Sequence, residues 1–198
     1  MLPSPADEIA SAAARLVVDE GMEYTQAKRK AARGLGRRQR GGAELPSNER
    51  VEDEVRAYLT LFCADTQPRE LLALRRLALH WMQRLAEFRP HLAGAVWRGT
   101  ATRLSAIHID LYCDDAKGAE IAFINQGIDY DASSADGESG VHYLSLAEHC
   151  AELGERVTLH LAVRDRDAQR GALKPDARGR SWRGDAAALQ RLIQDDAT

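Results

Sequence analysis

A chain of 198 residues, 44% hydrophobic and 29% charged, is long enough to bury a core without staples and has an ordinary globular composition. Its formal net charge of −3 excludes a global electrostatic pull on nucleic acid and leaves only local basic patches to consider. No apolar run reaches the roughly 18 residues of a membrane span, Cys63, Cys113 and Cys150 lack C-x-x-C spacing, and MLPSPADEIA has no basic region before an apolar one, so no membrane partner and a cytoplasmic location are expected.

The helical period dominates the first 90 residues. Ser4 is a cap, Pro5 suits a first turn, and Ile9, Ala13, Leu16 and Val17 form a stripe that Gly21 ends. A second helix starts near Thr25 with Ala27, Ala31 and Ala32, and Gly34 and Gly36 stop it. Ser47 or Asn48 opens a third, with Val51, Val55, Leu59 and Phe62 at helical spacing. Thr66 and Pro68 open a fourth, whose stripe runs from Leu71 through Trp81 to Phe88.

After Pro90 the period changes to two. Ala93 to Trp97 is a strand candidate, and Ile107, Ile109, Leu111 and Cys113 alternate with His108, Asp110 and Tyr112 as in a half-buried strand. Asp114 or Asp115 caps a helix over 116–126 that Gly127 ends. Ile128 to Asp131 reads as a strand, DASSADGESG as a polar loop, Val141 to Leu146 as a strand and 147–154 as a short helix. Val157, Leu159, Leu161 and Val163 form another alternating strand. The polar stretch 164–184 follows, and Asp185 opens a closing helix. The expected fold class is α+β: a helical N-terminal region over 1–65, then a small mixed sheet with flanking helices over 66–198.

The stretch GAVWRGTATRLSAIHIDLYCDD, residues 94–115, reads as a strand, a Gly-Thr turn, a loop and a second strand, all after a long amphipathic helix. That order resembles the core of the nucleotidyltransferase superfamily, in which a Gly-Ser turn precedes a strand bearing an acid-x-acid pair. The resemblance covers about residues 68–163 in element order and 95–113 in residues. It implies that Gly99 and Thr100, with Thr102 and Arg103 in the loop behind them, bind nucleotide phosphates through backbone N–H groups and hydroxyls. It also implies that the second strand carries the metal site, because acids spaced i, i+2 share one face and clamp divalent ions. Aligned on I-D-L, His108 and Asp110 occupy those positions; aligned on Ser105, they are Ala106 and His108. Either way a carboxylate is missing, and the later strand offers Thr158, His160 and Ala162 where the family has its third acid.

The resemblance therefore implies a degenerate nucleotide- or RNA-binding domain without ordinary two-metal catalysis. One alternative is an active enzyme, with Asp110 holding Mg²⁺ and His108 acting as ligand or base. The plain alternative makes Gly99-Thr100 a hairpin turn and His108, Asp110 and Tyr112 the wet face of a strand. His108 and His160 meet if their strands are neighbours.

Two basic stretches remain. Lys28, Arg29, Lys30, Arg33, Arg37, Arg38 and Arg40, behind the first helix, loosely resemble the opening of a TetR-type helix-turn-helix and suggest a nucleic-acid-binding regulator. A solvated helix face followed by a flexible loop is the favoured account of them. Arg170, Lys174, Arg178, Arg180 and Arg183 sit in a Gly- and Pro-containing loop, with Trp182 available for stacking and aspartates interspersed. No G-x-x-x-x-G-K-[ST] phosphate loop, H-E-x-x-H pair or G-x-S-x-G elbow occurs.

Overall fold

The computed structural model describes residues 4–36, 45–134, 141–176 and 178–196. The architecture is α+β, with N-terminal helices followed by a small mixed sheet flanked by helices. The chain divides into two compact units, one of residues 1–68 with 100–105, the other of 69–99 with 106–198.

The first unit is built on α1 (Pro5–Glu20), α2 (Tyr24–Gly34) and α3 (Asn48–Phe62). Ser4 and Asp7 form a reciprocal capping box on α1, and Ser47 Oγ accepts from Arg50 N at the start of α3. Ile9, Ala13 and Val17 bury against Ala27 and Ala31 of α2 and Val51, Val55 and Leu59 of α3. Small alanines on the facing sides let the helices approach closely. Gly21, at φ 65, ends α1 under Leu104, where an added Cβ would meet the Leu104 carbonyl oxygen at 2.7 Å. Gln67 donates to the Ala101 carbonyl at 2.9 Å. These contacts draw 100–105 into the helical unit.

The second unit begins in α4 (Gln67–Arg84), which runs into a 3-10 turn at Ala86–Phe88. Then come β1 (His91–Ala93), α5 (Gly94–Arg98), β2 (Ile107–Cys113), α6 (Ala116–Asn125), β3 (Asp131–Ser134), β4 (His142–Cys150) and β5 (Glu155–Asp165). A 3-10 turn at Arg166–Ala168 leads to α7 (Gln169–Ala172), β6 (Arg183–Gly184) and α8 (Ala186–Asp196). The strand order is β3-β4-β5-β2-β1-β6, and among the described residues β2 and β5 are the parallel pair.

One face of this sheet is apolar. Ile107, Ile109 and Leu111 stand beside Leu159, Leu161 and Val163, with Leu144 and Leu146 next in register, and all are buried. Each such side chain contributes about 1.5–3 kcal/mol. Trp81 of α4 and Phe123 of α6, with ring centroids 6.3 Å apart, add to the same core.

Several local expectations change. The strand expected at 93–97 is three residues long and lies at 91–93. Gly94, at φ 66, breaks it, and a single helical turn follows. That turn holds because Arg75 of α4 reaches its end, donating from Nε to the Val96 carbonyl at 3.2 Å and from Nη2 to the Trp97 carbonyl at 3.3 Å. Gly99 is then its left-handed C-cap rather than a hairpin turn. Of the helix expected at 147–154, residues 147–150 are instead the far end of β4, because Glu148, His149 and Cys150 pair with Val157, Arg156 and Glu155, and 151–154 form the turn to β5. The strand expected at 128–131 is displaced to 131–134, and the remainder of the polar loop, 135–140, lies outside the described residues.

Candidate functional site

Period-two alternation sends His108, Asp110 and Tyr112 of β2 to the face opposite the apolar one. Parallel pairing places His160, Ala162 and Arg164 of β5 beside them, residue for residue. On the other side His91 and Ala93 of β1 stand opposite Asp110 and His108, and Arg183 of β6 stands opposite Ala93. Seven polar side chains from β1, β2, β5 and β6 therefore share one face.

Asp110 is its centre. The residue is 5% exposed, and both carboxylate oxygens are occupied. Arg164 Nε donates to Oδ1 at 3.2 Å, and Arg183 Nε donates to Oδ2. Two guanidinium groups against one carboxylate leave a net positive charge. Burial works against the Arg164 charge, but the Asp110 carboxylate and its hydrogen bond outweigh it and hold the group above its ordinary value. Arg183 also donates from Nη1 to the Ala172 carbonyl at 3.4 Å.

Tyr112 lies beside this cluster, 1% exposed, its ring edge-on to His91 at 5.3 Å. Burial pushes its phenol up, and the Asp110 carboxylate adds to that. The Tyr112 hydroxyl makes no hydrogen bond of normal geometry among the described residues. His91 Nδ1 is 2.9 Å from the Arg89 carbonyl oxygen. One step along the strands, the His108 and His160 rings approach to 5.2 Å, and Ser145 Oγ shares a 2.8 Å hydrogen bond with His160 Nδ1. Gly94 leaves room for this pair, since a Cβ there would meet His108 Cδ2 at 3.3 Å.

Not all of the anticipated site converges. Gly99 belongs to the second unit, whereas Thr100, Thr102 and Arg103 belong to the first. Thr100 and Thr102 are buried, with hydroxyls unpaired among the described residues, and Arg103 is exposed. Opposite Asp110 on β5 stands Ala162, and Asp131 is on the edge strand β3, with β4 and β5 between it and β2. The residues present do not fit Mg²⁺, which takes oxygen ligands. The face offers one carboxylate, already committed to two cations, and no cluster of three or more His, Cys, Asp or Glu suited to a metal occurs among the described residues. No described helix is long and apolar enough to cross a membrane.

The basic stretches separate in the same way. Lys28 Nζ is held by the Pro46 carbonyl at 3.0 Å and Asn48 Oδ1 at 2.8 Å, and Lys30 pairs with Glu20 at 2.5 Å. Arg33 Nε donates to the Arg29 carbonyl at 3.3 Å, and Arg29 is exposed. Arg37, Arg38 and Arg40 lie outside the described residues. Arg170, Lys174 and Arg178 are exposed, Arg180 is 3.5 Å from Asp176, and Arg183 alone of that stretch reaches the sheet face at Asp110.

Sequence reasoning overlooked Arg164, although the alternation His160, Ala162, Arg164 on β5 already assigns it to this face. Nothing local ties Arg183 to Asp110, because β6 is only two residues long. No family model matches the chain, and neither the curated proteins nor the solved structures yield a match.

Proposed function

We propose that the polar face of the sheet binds the phosphate of a nucleotide without a metal ion, as a degenerate nucleotidyltransferase-like domain that lacks two-metal catalysis. The observation that carries this reading is Asp110 clamped between Arg164 and Arg183. A carboxylate so engaged does not recruit Mg²⁺. It orients two guanidinium groups whose remaining N–H edges suit a phosphate, the ligand for which the planar fork is matched. Among the described residues Arg164 donates through Nε, and Arg183 through Nε and Nη1. His108 and His160 extend the face with further donors. The order helix, strand, short helix, strand from α4 to β2, with β5 parallel to β2, supports the family likeness at the level of elements.

The test is thermal stability against a panel of nucleoside triphosphates and a short RNA, in chelator and then in Mg²⁺ or Mn²⁺. A ligand at about 100 times its dissociation constant stabilises the native state by about 2.7 kcal/mol. The expected result is a nucleotide shift that survives chelation and disappears in Arg164→Ala combined with Arg183→Ala. A shift that requires metal and is lost in Asp110→Ala overturns the reading in favour of a catalytic site. No shift with any nucleotide overturns it outright. For the regulator reading, Lys28 and Lys30 make contacts within the helical unit, Arg29 and Arg33 are exposed, and Arg37, Arg38 and Arg40 lie outside the described residues.

A further inference from the structure

Arg183 reaches Asp110 from a strand of two residues, too short to fix its own position. The question is what holds it. Arg98, the last residue of α5, has a side chain only 6% exposed, and its guanidinium is turned onto the segment that precedes β6. Nη1 and Nη2 each lie 3.4 Å from Asp176 Oδ2, Nη1 donates to the Ser181 carbonyl at 3.3 Å, and Cζ stands 4.3 Å from the centroid of the Trp182 ring. Trp97 adds a second grip. Its Nε1 donates to the same Ser181 carbonyl at 2.9 Å, and its ring covers Gly184 so closely that a Cβ there would lie 2.0 Å from it. Ser181 passes this on, its Oγ bonding the backbone N and O of Arg183.

We propose that Arg98, assisted by Trp97, is a positioning residue of the phosphate site: it clamps Asp176, Ser181 and Trp182 and thereby aims Arg183 at Asp110. This rests on the nucleotide reading above only for its binding consequence; the clamp itself is a claim about where β6 sits. Arg98 is thus removed from the binding role its charge suggests, because its fork is consumed inside the protein. A buried pair with an aspartate and a tryptophan face is specific to guanidinium geometry, so lysine is a poor substitute.

The experiment is a double-mutant cycle on ATP affinity in chelator, with inorganic phosphate as a second probe. Arg183→Ala is expected to weaken ATP binding about tenfold, equivalent to about 1.4 kcal/mol. Arg98→Met is expected to weaken it several-fold, Arg98→Lys to restore it only in part, and the double variant to bind no worse than Arg183→Ala alone. Losses that simply add overturn the proposal, because Arg98 then acts on the ligand by some route other than Arg183. Trp97→Phe, which removes the bond to Ser181 and trims the ring over Gly184, is the milder variant should Arg98→Met fail to fold; wild-type affinity in both Trp97→Phe and Arg98→Lys overturns the clamp.

A readout independent of ligand is amide hydrogen exchange. Exchange at Arg183 and Gly184 should accelerate in Arg98→Met while the β4–β5 amides stay protected. If the wild type binds neither ATP nor phosphate, the nucleotide reading fails, and accelerated exchange still supports the clamp. Unchanged exchange at β6 overturns the clamp whatever the protein binds.

Discussion

At the scale of the residue, Asp110 sets the character of the site. Its two oxygens serve two arginines whose side chains are 27% and 26% exposed, so water shares the work of neutralising them. Removing one partner of a fully buried pair costs about 3–5 kcal/mol. With arginines this accessible, Asp110→Ala should cost less, about 1–3 kcal/mol in chemical denaturation. Nucleotide affinity in chelator should weaken in that variant, because the two guanidinium groups lose the carboxylate that orients them; a metal site would instead lose only the metal-dependent part of its affinity. Tyr112 gives a second test. Its pKa is raised above 10.0, so the folded state keeps the phenolic proton more firmly than the unfolded state does. Its contribution is fully present below that value and is lost as pH rises through it. Tyr112→Phe, which discards an unpaired hydroxyl, should change stability at neutral pH by less than about 1 kcal/mol. It should also flatten the stability loss between about pH 9 and pH 11, as read by denaturant midpoints. His108 and Asp110 were legible from the alternation of β2. The arginines that decide what Asp110 can do were not, because a charged residue on a strand does not reveal which neighbouring strand it will meet.

At the scale of the element, α5 is where sequence reasoning and structure part most sharply. Ala-Val-Trp reads as a strand by composition, yet Gly94 turns the chain and Arg75, more than a helical turn's worth of sequence away on α4, satisfies the carbonyls that a single helical turn leaves bare. Tertiary hydrogen bonds outweigh local preference here. The segment that α5 grips carries two predictions. Desolvation pushes the Asp176 carboxyl up, but the backbone N–H groups of Arg180 and Arg178 and the Arg98 guanidinium outweigh it and hold it below its ordinary 3.8. Its stabilising contribution is present above that value and lost as pH falls through it. Acidification below about pH 4 should therefore loosen residues 178–182 from Asp176, visible in Trp182 fluorescence, and Asp176→Asn should remove that acid dependence. Gly184→Ala forces a Cβ into the Trp97 ring and should cost about 1–3 kcal/mol, the usual range for overpacking, measured as a lowered denaturation midpoint.

At the scale of the whole molecule, the helical start and the mixed sheet were readable from the change of period at Pro90. The partition was readable only in part. A division at residue 65 follows the helices, whereas the compact unit runs to residue 68 and takes back 100–105 from the middle of the chain. No composition shift marks those six residues. They are recruited by fit, with Leu104 against Gly21 and the Ala101 carbonyl on Gln67. A fragment of residues 1–68 should consequently melt earlier than the same helices within the full chain, by circular dichroism, and adding a peptide of residues 100–105 should shift the midpoint back. Equal midpoints would mean that the three helices need nothing from the returning segment.

The parallel pairing of β2 with β5 also bears on the order in which the protein is made. The β4–β5 hairpin closes through the short turn at 151–154, so it can form within microseconds of leaving the ribosome. The pairing of Ile107 with Leu159 and of Leu92 with Gly184 closes much longer loops and belongs to the slow, nonlocal part of folding. During synthesis β2 is complete long before either of its arginine donors has been translated. For that interval Asp110 is an unpaired carboxylate on a strand whose other face is bare Ile107, Ile109 and Leu111. A nascent chain paused before residue 163 leaves that apolar face without its β5 neighbours Leu159, Leu161 and Val163 and is open to chaperone capture or aggregation, and the pairing of β5 ends that exposure.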